Sequence, residues 1–484
     1  MNLNSKQHEK WLQKRKYTFI AFSIQMIIIG MEYSLTIITL WLYIKEMINT
    51  NSPKLYYGLV SVSYMLASTL LSPFVGRLAD KSRDTNKAFL ICNFLMLSGN
   101  VLYSIHFSPF YLIGGRIIAG FGGTLKSIIF SETIRSYVAH ETNSKLSILS
   151  IMLNFGFMLG PGINFFFKDI NFYIGRWHLK DVNFPGLFMG FLCFAMEIVS
   201  IITVHDLSKE FDYKAFNEND FITNVVNEVH EQNNIIDDKD LPLVQKKSAN
   251  EKTTVNEAVP ETTVTETDLL LPKHLKQHTV KKILKELFTN FDSALLMFSN
   301  FFLAFFFINT DLWLPLLIIE KMHLSMVELN ISFFGVSGIC ALMLLLFIWR
   351  PISDIKMITF FIISLSGFCI VSLGFIILSY FPYNKFLNNI LCIVYMVSFA
   401  GTPIVVYVFF VNTQAKMVNS SILTFVDSIR NSIYSLGAFL AFCFSAFIFD
   451  YVEIFGTLYA VIMIVIGILF ILRRKHIINP KQLL

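Results

Sequence analysis

The chain alternates long apolar stretches with short polar breaks, and one long polar stretch, residues 206–290, divides the series into two halves. Most apolar stretches approach or exceed the roughly 20 residues that a helix needs to cross the hydrocarbon core of a bilayer. Hydrophobic residues make up 54% of the chain and charged residues only 15%, which leaves too little polar surface to cover a soluble globule. The bilayer is therefore the expected solvent.

We predict an all-α membrane protein with twelve transmembrane helices in two six-helix bundles, because the apolar runs are continuous and show no two-residue alternation. The predicted spans are 18–43, 57–76, 87–106, 109–131, 145–167, 184–205, 291–319, 328–349, 357–380, 388–411, 419–447 and 452–472. The predicted domains are an N-terminus at 1–17, bundles at 18–205 and 291–472, the loop at 206–290 between them, and a tail at 473–484.

Lysine and arginine residues near the span ends predict the orientation of the chain. With the N-terminus inside, basic residues such as Lys14 and Arg135 accumulate on the cytosolic side, and few, such as Lys168, fall on the other side. Both termini and the middle loop are therefore expected in the cytosol. The net charge of +5 reflects this bias, and no nucleic-acid partner is expected.

Motifs of catalysis and metal binding are missing from the sequence. All six cysteines fall inside predicted spans, which argues against a disulfide framework, and no Cys/His spacing is typical of a metal site. The sequence contains no HExxH, GxSxG or Walker pattern and no pair of carboxylates at catalytic spacing. We therefore expect no enzyme, no cofactor and no metal.

The middle loop is predicted to be largely disordered, because its polar composition cannot bury enough apolar area. At about 275–290, apolar residues recur at helical spacing opposite lysines, which predicts a basic amphipathic helix on an anionic leaflet; a simple extension of the seventh span is the alternative. Glu266, Leu270 and Leu271 fit an acidic dileucine pattern that sorting adaptors read in endosomal and lysosomal targeting.

A short pattern follows the second span: Gly76, three residues, Asp80 and then Lys81. It resembles the loop signature of the major facilitator superfamily, although Arg83 replaces the later glycine and Asp84 the basic residue after it. Glycine permits close approach of two helices. The resemblance implies that Asp80 accepts hydrogen bonds from the N-terminus of a neighbouring helix and so holds one conformation of a transporter.

The fourth span carries a second signature of that superfamily, Arg116 followed by Gly120 and Gly122 at helical spacing. The guanidinium lies about 10 Å inside its span at a rise of about 1.5 Å per residue, so it needs a partner or a water-filled cavity. In the fifth span, Gly156, Gly160 and Pro161 resemble a signature of exchangers of the superfamily; plain helix packing is the alternative for the glycines.

A narrower resemblance covers roughly residues 30 to 200. The run from Tyr57 to Gly76, the segment from Gly156 to Pro161 and the entry to the sixth span at Phe184 are similar to the lysosomal ceroid lipofuscinosis type 7 group. That group is a lysosomal and endosomal branch linked to chloride permeation. The resemblance implies transport of a small anion such as chloride in a lysosomal or endosomal membrane.

Charged residues inside spans are costly, so they mark candidate pathways. Glu32, Arg116, Glu197 and Asp311 are the candidate residues of a substrate or proton pathway. The superfamily resemblance implies that spans one, four, seven and ten line the cavity, which favours three of them; Glu197 is equally well explained as a neutral packing residue.

Four other charged residues inside or near spans have structural explanations. Asp427 and Arg430 lie three residues apart and are predicted to form a structural ion pair. Lys126 and Glu132 are predicted to extend toward the cytosolic headgroups.

The resulting hypothesis is that Arg116 and Lys126 attract an anion while Glu32 or Asp311 takes up a proton as the cavity closes. The expected partners are a small solute or ion, membrane lipids and sorting adaptors. A proton-coupled carrier of an organic solute and a receptor or scaffold that does not transport are the alternatives.

Overall fold

The structure is a computed structural model, and it describes residues 5–48, 50–51, 53–167, 169–214, 279–316, 354–380, 409–478 and 480, with the single positions 338, 342, 345 and 386. The sorting residues Glu266, Leu270 and Leu271 lie outside the described residues. So do nearly all of the spans predicted at 328–349 and 388–411.

The described part of the N-terminal half has seven long helices, a short helix and one β-hairpin. The helices are α1 (Ser5–Met47), α2 (Pro53–Ser82), α3 (Thr85–Tyr103), α4 (Pro109–Gly122), α5 (Leu125–Ser136), α6 (Ala139–Asn164), α7 (Phe184–Thr203) and α8 (Leu207–Glu210). Strands β1 (Asn171–Ile174) and β2 (Trp177–Lys180) pair in antiparallel register between α6 and α7. The turn between them places Gly175 at a φ of +62°, a conformation that glycine adopts without a steric cost.

The described part of the C-terminal half is also helical. Its helices are α9 (Val280–Thr289), α10 (Phe291–Leu316), α11 (Asp354–Tyr380), α12 (Leu423–Asp450), α13 (Val452–Leu472) and α14 (Arg474–Ile478). Residues 409–417 are helical as well.

Six helical stretches among the described residues are long and apolar enough to cross a membrane. They are Gln7–Thr36, Tyr56–Ser82, Pro109–Ser136, Phe184–Glu210, Phe291–Asn309 and Ile454–Leu472. Large apolar side chains stand on their outer surfaces; Phe74 and Ile202, for example, are each 72% exposed. Since a soluble protein rarely exposes so many such side chains, these surfaces are suited to contact lipid.

One predicted span is divided in the structure, and the helix predicted at the end of the middle loop is separate from the seventh span. The predicted fourth span is divided into α4 and α5, because the chain turns at Gly123 and Thr124. The adjacent residues Gly122 and Gly123 weaken the helix at this point. α9 is separated from α10 by Asn290, whose ψ is 120°. Ile283 and Leu287 of α9 are buried in the core of the C-terminal bundle, so α9 is not an extension of the seventh span.

Each half has its own apolar core, and the halves meet along α12. In the N-terminal bundle α1 packs on α6, and α3 packs on α4 and α7; in the C-terminal bundle α11 packs on α13. α12 packs both on α2 and on α10. We call the side where α1 begins, and where the α2–α3 turn and the start of α12 lie, the N-terminal face.

Candidate functional site

A cleft opens between α1, α2 and α4. It encloses about 390 Å³ of empty space, counting its open mouth. Its lining combines one acid, one base, two tyrosines, two hydroxyl residues and three apolar residues. They are Glu32, Arg116, Tyr33, Tyr64, Thr36, Ser61, Leu40, Val60 and Met65.

The acid and the base of the cleft form a buried ion pair. Arg116 Nη1 lies 3.7 Å from Glu32 Oε1, and Asn100 Nδ2 on α3 donates a hydrogen bond of 3.0 Å to the same oxygen. Glu32 is 1% exposed and Arg116 is 7% exposed. Within the described residues, Glu32 Oε2 has no hydrogen-bond partner. The carboxylate therefore keeps one oxygen available to a proton, and the ion pair is longer than a direct charged hydrogen bond of about 2.7–2.9 Å.

Close packing of α4 fixes the position of Arg116. Its guanidinium lies 4.5 Å from the ring centroid of Tyr103, a cation–π contact. A Cβ on Gly120 would lie 2.5 Å from the carbonyl oxygen of Tyr64 on α2, and a Cβ on Gly122 would lie 2.6 Å from that of Cys92 on α3. The signature glycines thus hold α4 against α2 and α3. Arg116, one turn before Gly120, lines the cleft.

The N-terminal face is closed by a second cluster of charges. Asp80 accepts hydrogen bonds from the backbone N–H groups of Thr424 at 3.0 Å and Phe425 at 2.6 Å, in the first turn of α12. Arg135 of α5 lies 2.5 Å from Asp80 and donates to the carbonyl oxygen of Ser420 at 2.7 Å. A carboxylate is favoured at a helix N-terminus, so Asp80 joins the two halves. We call this group the closing contact.

Gly76 brings α2 against α12 one turn before Asp80. A Cβ at this position would lie 2.6 Å from Ser428 Cβ and 2.8 Å from the carbonyl oxygen of Thr424. Any side chain would therefore push the halves apart. Lys81, the next member of the predicted signature, is exposed beside the closing contact.

Arg83 adds a second link across the face. Its φ of +54° is the left-handed conformation that favours glycine. Arg83 Nη1 lies 3.1 Å from Asp212 Oδ2, and Arg83 Nη2 donates to the carbonyl oxygen of Ser420 at 3.0 Å. Asp212 also accepts a hydrogen bond from the Ser420 hydroxyl. The side chain that replaces the glycine of the signature thus contacts both halves.

Residues 205–214, which we call the strap, run across the N-terminal face after α7. Ser208 donates from its backbone N–H and its hydroxyl to the two oxygens of Glu132, at 2.7 Å each. Lys209 pairs with Asp84 at 2.6 Å, and the Lys214 ammonium donates to the carbonyl oxygen of Ala415 in the other half. Beyond these pairs, Trp11 donates to the carbonyl oxygen of Leu207 at 3.4 Å, and its ring packs on those of Phe211 and Tyr213.

A family model described as Major Facilitator Superfamily matches residues 22–426. The chain belongs to the major facilitator superfamily. Members are secondary active transporters of small solutes, so the chain is a multi-pass membrane transporter and not an enzyme, as expected from the sequence.

Solved structures of the superfamily match nearly the whole chain. The human organic anion transporter MFSD10 (TETRAN) aligns with a TM-score of 0.62 at 10% identity, over 94% of this chain and 99% of that one. The proton:xylose symporter XylE aligns with a TM-score of 0.56 at 13% identity, over 94% of each chain. At these identities the likeness shows the fold alone, and it confirms the predicted fold class.

A curated relative matches only part of the chain. The quinolone resistance protein NorA of Staphylococcus aureus is 29% identical over 193 residues, which are 39% of this chain. The match spans 45% of NorA, less than half its length.

Of the remaining pathway candidates, Glu197 does not join Glu32 and Arg116 in the cleft. Glu197 on α7 accepts a hydrogen bond of 2.6 Å from Asn93 Nδ2 on α3 and is absent from the cleft lining. Asp311 falls within α10, and its side chain lies outside the described residues. The signature residues Gly156 and Gly160 pack against α1, close to Gly30 and Ser34 respectively. Pro161 lies in α6, and nothing of its side chain is described.

Asp427 and Arg430 contact each other as predicted, with Arg430 Nη2 2.7 Å from Asp427 Oδ1. Lys126 and Glu132, in contrast, do not extend toward lipid headgroups. The Lys126 ammonium lies 5.7 Å from the ring centroid of Tyr434 on α12, and Glu132 is 1% exposed because it binds the strap. Contact between the halves and with the strap explains both differences.

Sequence reasoning missed two residues of these sites. Arg135 was counted only among the basic residues of the cytosolic side, although it is 3% exposed and pairs with Asp80. Asn100, which binds Glu32, carries no charge and so escaped a search for charged residues. A search for every polar residue inside an apolar run would have found Asn100.

Proposed function

We propose that this chain is a proton-coupled carrier of a small organic anion, which it moves by alternating access through the cleft. The observation that carries the proposal is the buried pair of Glu32 and Arg116. Superfamily membership already establishes secondary active transport of a small solute. The proposal adds the class of solute and the residue that couples it to protons.

Charge balance in the cleft supports the coupling. While Glu32 is ionised, it neutralises the positive charge of Arg116, and an anion gains little by entering. A proton on Glu32 removes that compensation, so the guanidinium attracts an anion. Loss of the proton restores the pair and expels the anion. Proton and anion therefore move in the same direction.

The cleft lining favours an organic solute over a bare ion. Tyr33, Tyr64 and Met65 surround the charged pair with aromatic and polarisable surface. Sites for small molecules are typically apolar with a few placed polar groups. Chloride is the second candidate, because Arg116 offers it the same charge. Export of a quinolone, suggested by the similarity to the quinolone resistance protein NorA, is the third.

Alternating access needs a contact that closes one face and releases. The closing contact supports this role, since Asp80 and Arg135 of one half hold the start of α12 in the other. We propose that the N-terminal face is cytosolic, in line with its basic residues. A lysosomal or endosomal membrane, with sorting through Glu266, Leu270 and Leu271, remains a proposal from the sequence alone.

Tracer flux tests the proposed function. Purified protein in liposomes receives radiolabelled benzenesulfonate, chloride or norfloxacin, with and without a pH gradient; benzenesulfonate stays anionic and cannot cross as a neutral acid. We expect a gradient to drive accumulation of benzenesulfonate in the wild type. Glu32→Gln should abolish that gradient dependence and leave tracer exchange at equal pH intact.

Glu46→Gln is the matched control, because Glu46 is an exposed acid on the same helix. It should behave as wild type. Retention of gradient-driven uptake in Glu32→Gln would reject coupling through Glu32. Uptake of chloride alone would select the second candidate, and uptake of norfloxacin alone the third.

A further inference from the structure

We propose that a polar track inside the N-terminal bundle links Glu32 to a second proton-binding residue, Glu197, and carries protons toward the N-terminal face while the closing contact stays shut. The proposal rests on the proposed function, in which Glu32 takes up and releases a proton. It assigns a route that does not pass through the space between the two bundles.

The two carboxyl groups lie at different depths. Glu197 precedes Thr203, at the end of α7, by six residues, or about 9 Å at a rise of about 1.5 Å per residue. Thr18 on α1 donates to the carbonyl oxygen of Thr203, so the two residues mark one level. Glu32 lies fourteen residues beyond Thr18, or about 21 Å. Glu197 is thus about 12 Å nearer to the N-terminal face by the same measure.

α3 connects the two levels with a pair of asparagines. Asn100 Nδ2 donates to Glu32 Oε1 at 3.0 Å, and Asn93 Nδ2 donates to Glu197 Oε2 at 2.6 Å. The asparagines are seven residues apart, which is about two helical turns, so they share one face of α3. Both are fully buried, at 0% and 1% exposure.

On α1, two polar residues of the track are also seven residues apart. Gln25 precedes Glu32 by seven residues and is 0% exposed. Its Nε2 lies 3.9 Å from the sulfur of Met96, and the backbone oxygen of Met96 accepts from Asn100 Nδ2 at 2.9 Å. Met96 therefore lies at the middle of the track, between its two levels.

Four buried oxygens along this track accept no hydrogen bond from any described residue. They belong to Gln25 (Oε1), Glu32 (Oε2), Asn93 (Oδ1) and Asn100 (Oδ1). A buried acceptor without a hydrogen bond is unfavourable, so four on one track favour occupation by hydrogen-bonded water. Such a chain of water and side-chain oxygens is a medium for proton transfer.

Among the described residues, the titratable and charged groups around the track come from α2, α4 and α7. Arg116, Tyr64 and Cys193 surround Glu32 from α4, α2 and α7, and Cys193 lies within electrostatic reach of both carboxyl groups. Around Glu197 the contacts described are those of Asn93 and of Cys193, one turn before it. The competing explanation is that Glu197 only anchors α3 to α7.

Time-resolved infrared spectroscopy after a pH jump tests the track and needs no transported solute. The full chain in lipid gives a carboxyl stretching band as Glu32 gains its proton, and Glu32→Gln identifies that band by removing it. We expect Glu197→Gln to slow the appearance of the band at least tenfold without changing its amplitude. Asn93→Leu should have the same effect.

Glu9→Gln, at an exposed acid of α1, and Asn154→Leu, at a partly buried asparagine of α6, are the matched controls. Glu197→Gln preserves the shape of the side chain and an oxygen that Asn93 can bind. A purely anchoring role of Glu197 therefore predicts that the Glu32 band appears at an unchanged rate. An unchanged rate overturns the track and leaves the proposed function standing. A difference spectrum that Glu32→Gln leaves unchanged overturns both proposals.

Discussion

At the scale of single residues, the strained turn at Arg83 shows how this chain departs from the signature of its superfamily. A non-glycine residue in the left-handed region costs about 1–2 kcal/mol. Contacts with Asp212 and Ser420 offset that cost in the closed conformation. When the N-terminal face opens, Arg83 loses its contacts with Asp212 and Ser420, and its turn can relax out of the left-handed conformation.

Arg83→Gly should remove the strain and both links together. We expect little change in thermal stability, because the two effects oppose each other, and a more open N-terminal face. The measurement is the rate at which a membrane-impermeant maleimide labels Ala415→Cys, which lies in the closed face at 5% exposure, in a background free of other cysteines. The rate should rise several-fold. Lys81→Ala, at an exposed neighbour, serves as control, and equal rates in all variants would refute the link.

Burial cost and the superfamily resemblance together selected Glu32 and Arg116 from the sequence, and the structure pairs them across α1 and α4. Their partnership could not be predicted, because nothing in a single sequence states which faces of two distant helices meet. The contact between Asp80 and Arg135 escaped prediction for the same reason. Burial cost identifies costly residues, whereas packing decides their partners.

At the scale of elements, helix ends follow neighbours as well as composition. α13 covers the predicted span 452–472, since a nearly continuous apolar run defines it. α1 begins at Ser5, well before the predicted start at 18, because its polar first turns pack on the strap through Trp11, which is 5% exposed. Hydropathy measures the fit to lipid and does not detect such contacts.

The packing of α1 on α6 gives a test of the small-residue signature. A Cβ on Gly156 would lie 3.0 Å from Gly30 Cα and would overlap the carbonyl oxygen of Ile27. Gly156→Ala should therefore destabilise the bundle by about 1–3 kcal/mol, the usual cost of overpacking. Gly58→Ala, where a Cβ meets no atom within 4 Å, should not. Thermal unfolding of both variants in detergent measures the difference, and equal midpoints would contradict the packing argument.

The β-hairpin on the face opposite to the N-terminal face should respond to acid. Burial, and to a lesser degree the nearby imidazole of His178, lowers the pKa of His106 below its ordinary value. His106 therefore binds a proton more readily when this part of the protein is unfolded than when it is folded. The stability of the folded hairpin region falls as pH falls through about 6.5. Hydrogen exchange of residues 171–180 should accelerate on acidification beyond the chemical effect of pH. His106→Gln should remove this additional acceleration of exchange. An equal acceleration in the wild type and the variant would contradict the role of His106.

At the scale of the whole molecule, the structure is asymmetric. The closing contact and the strap join the halves at the N-terminal face. The cleft with Glu32 and Arg116 lies within the N-terminal bundle, between α1, α2 and α4. We infer a conformation closed at that face. The two-bundle architecture was accessible from the spacing of apolar runs, whereas the conformation depends on pairings that the spacing does not encode.

Distances between spin labels in a background free of native cysteines test the central claim of alternating access most directly. One pair, Lys81→Cys and Lys356→Cys, reports on the N-terminal face; the other, Phe107→Cys and Tyr451→Cys, reports on the opposite face, and all four positions are exposed. Adding Asp80→Asn should lengthen the first distance and shorten the second in the same molecules. Two distances that stay unchanged, or that lengthen together, would contradict the account.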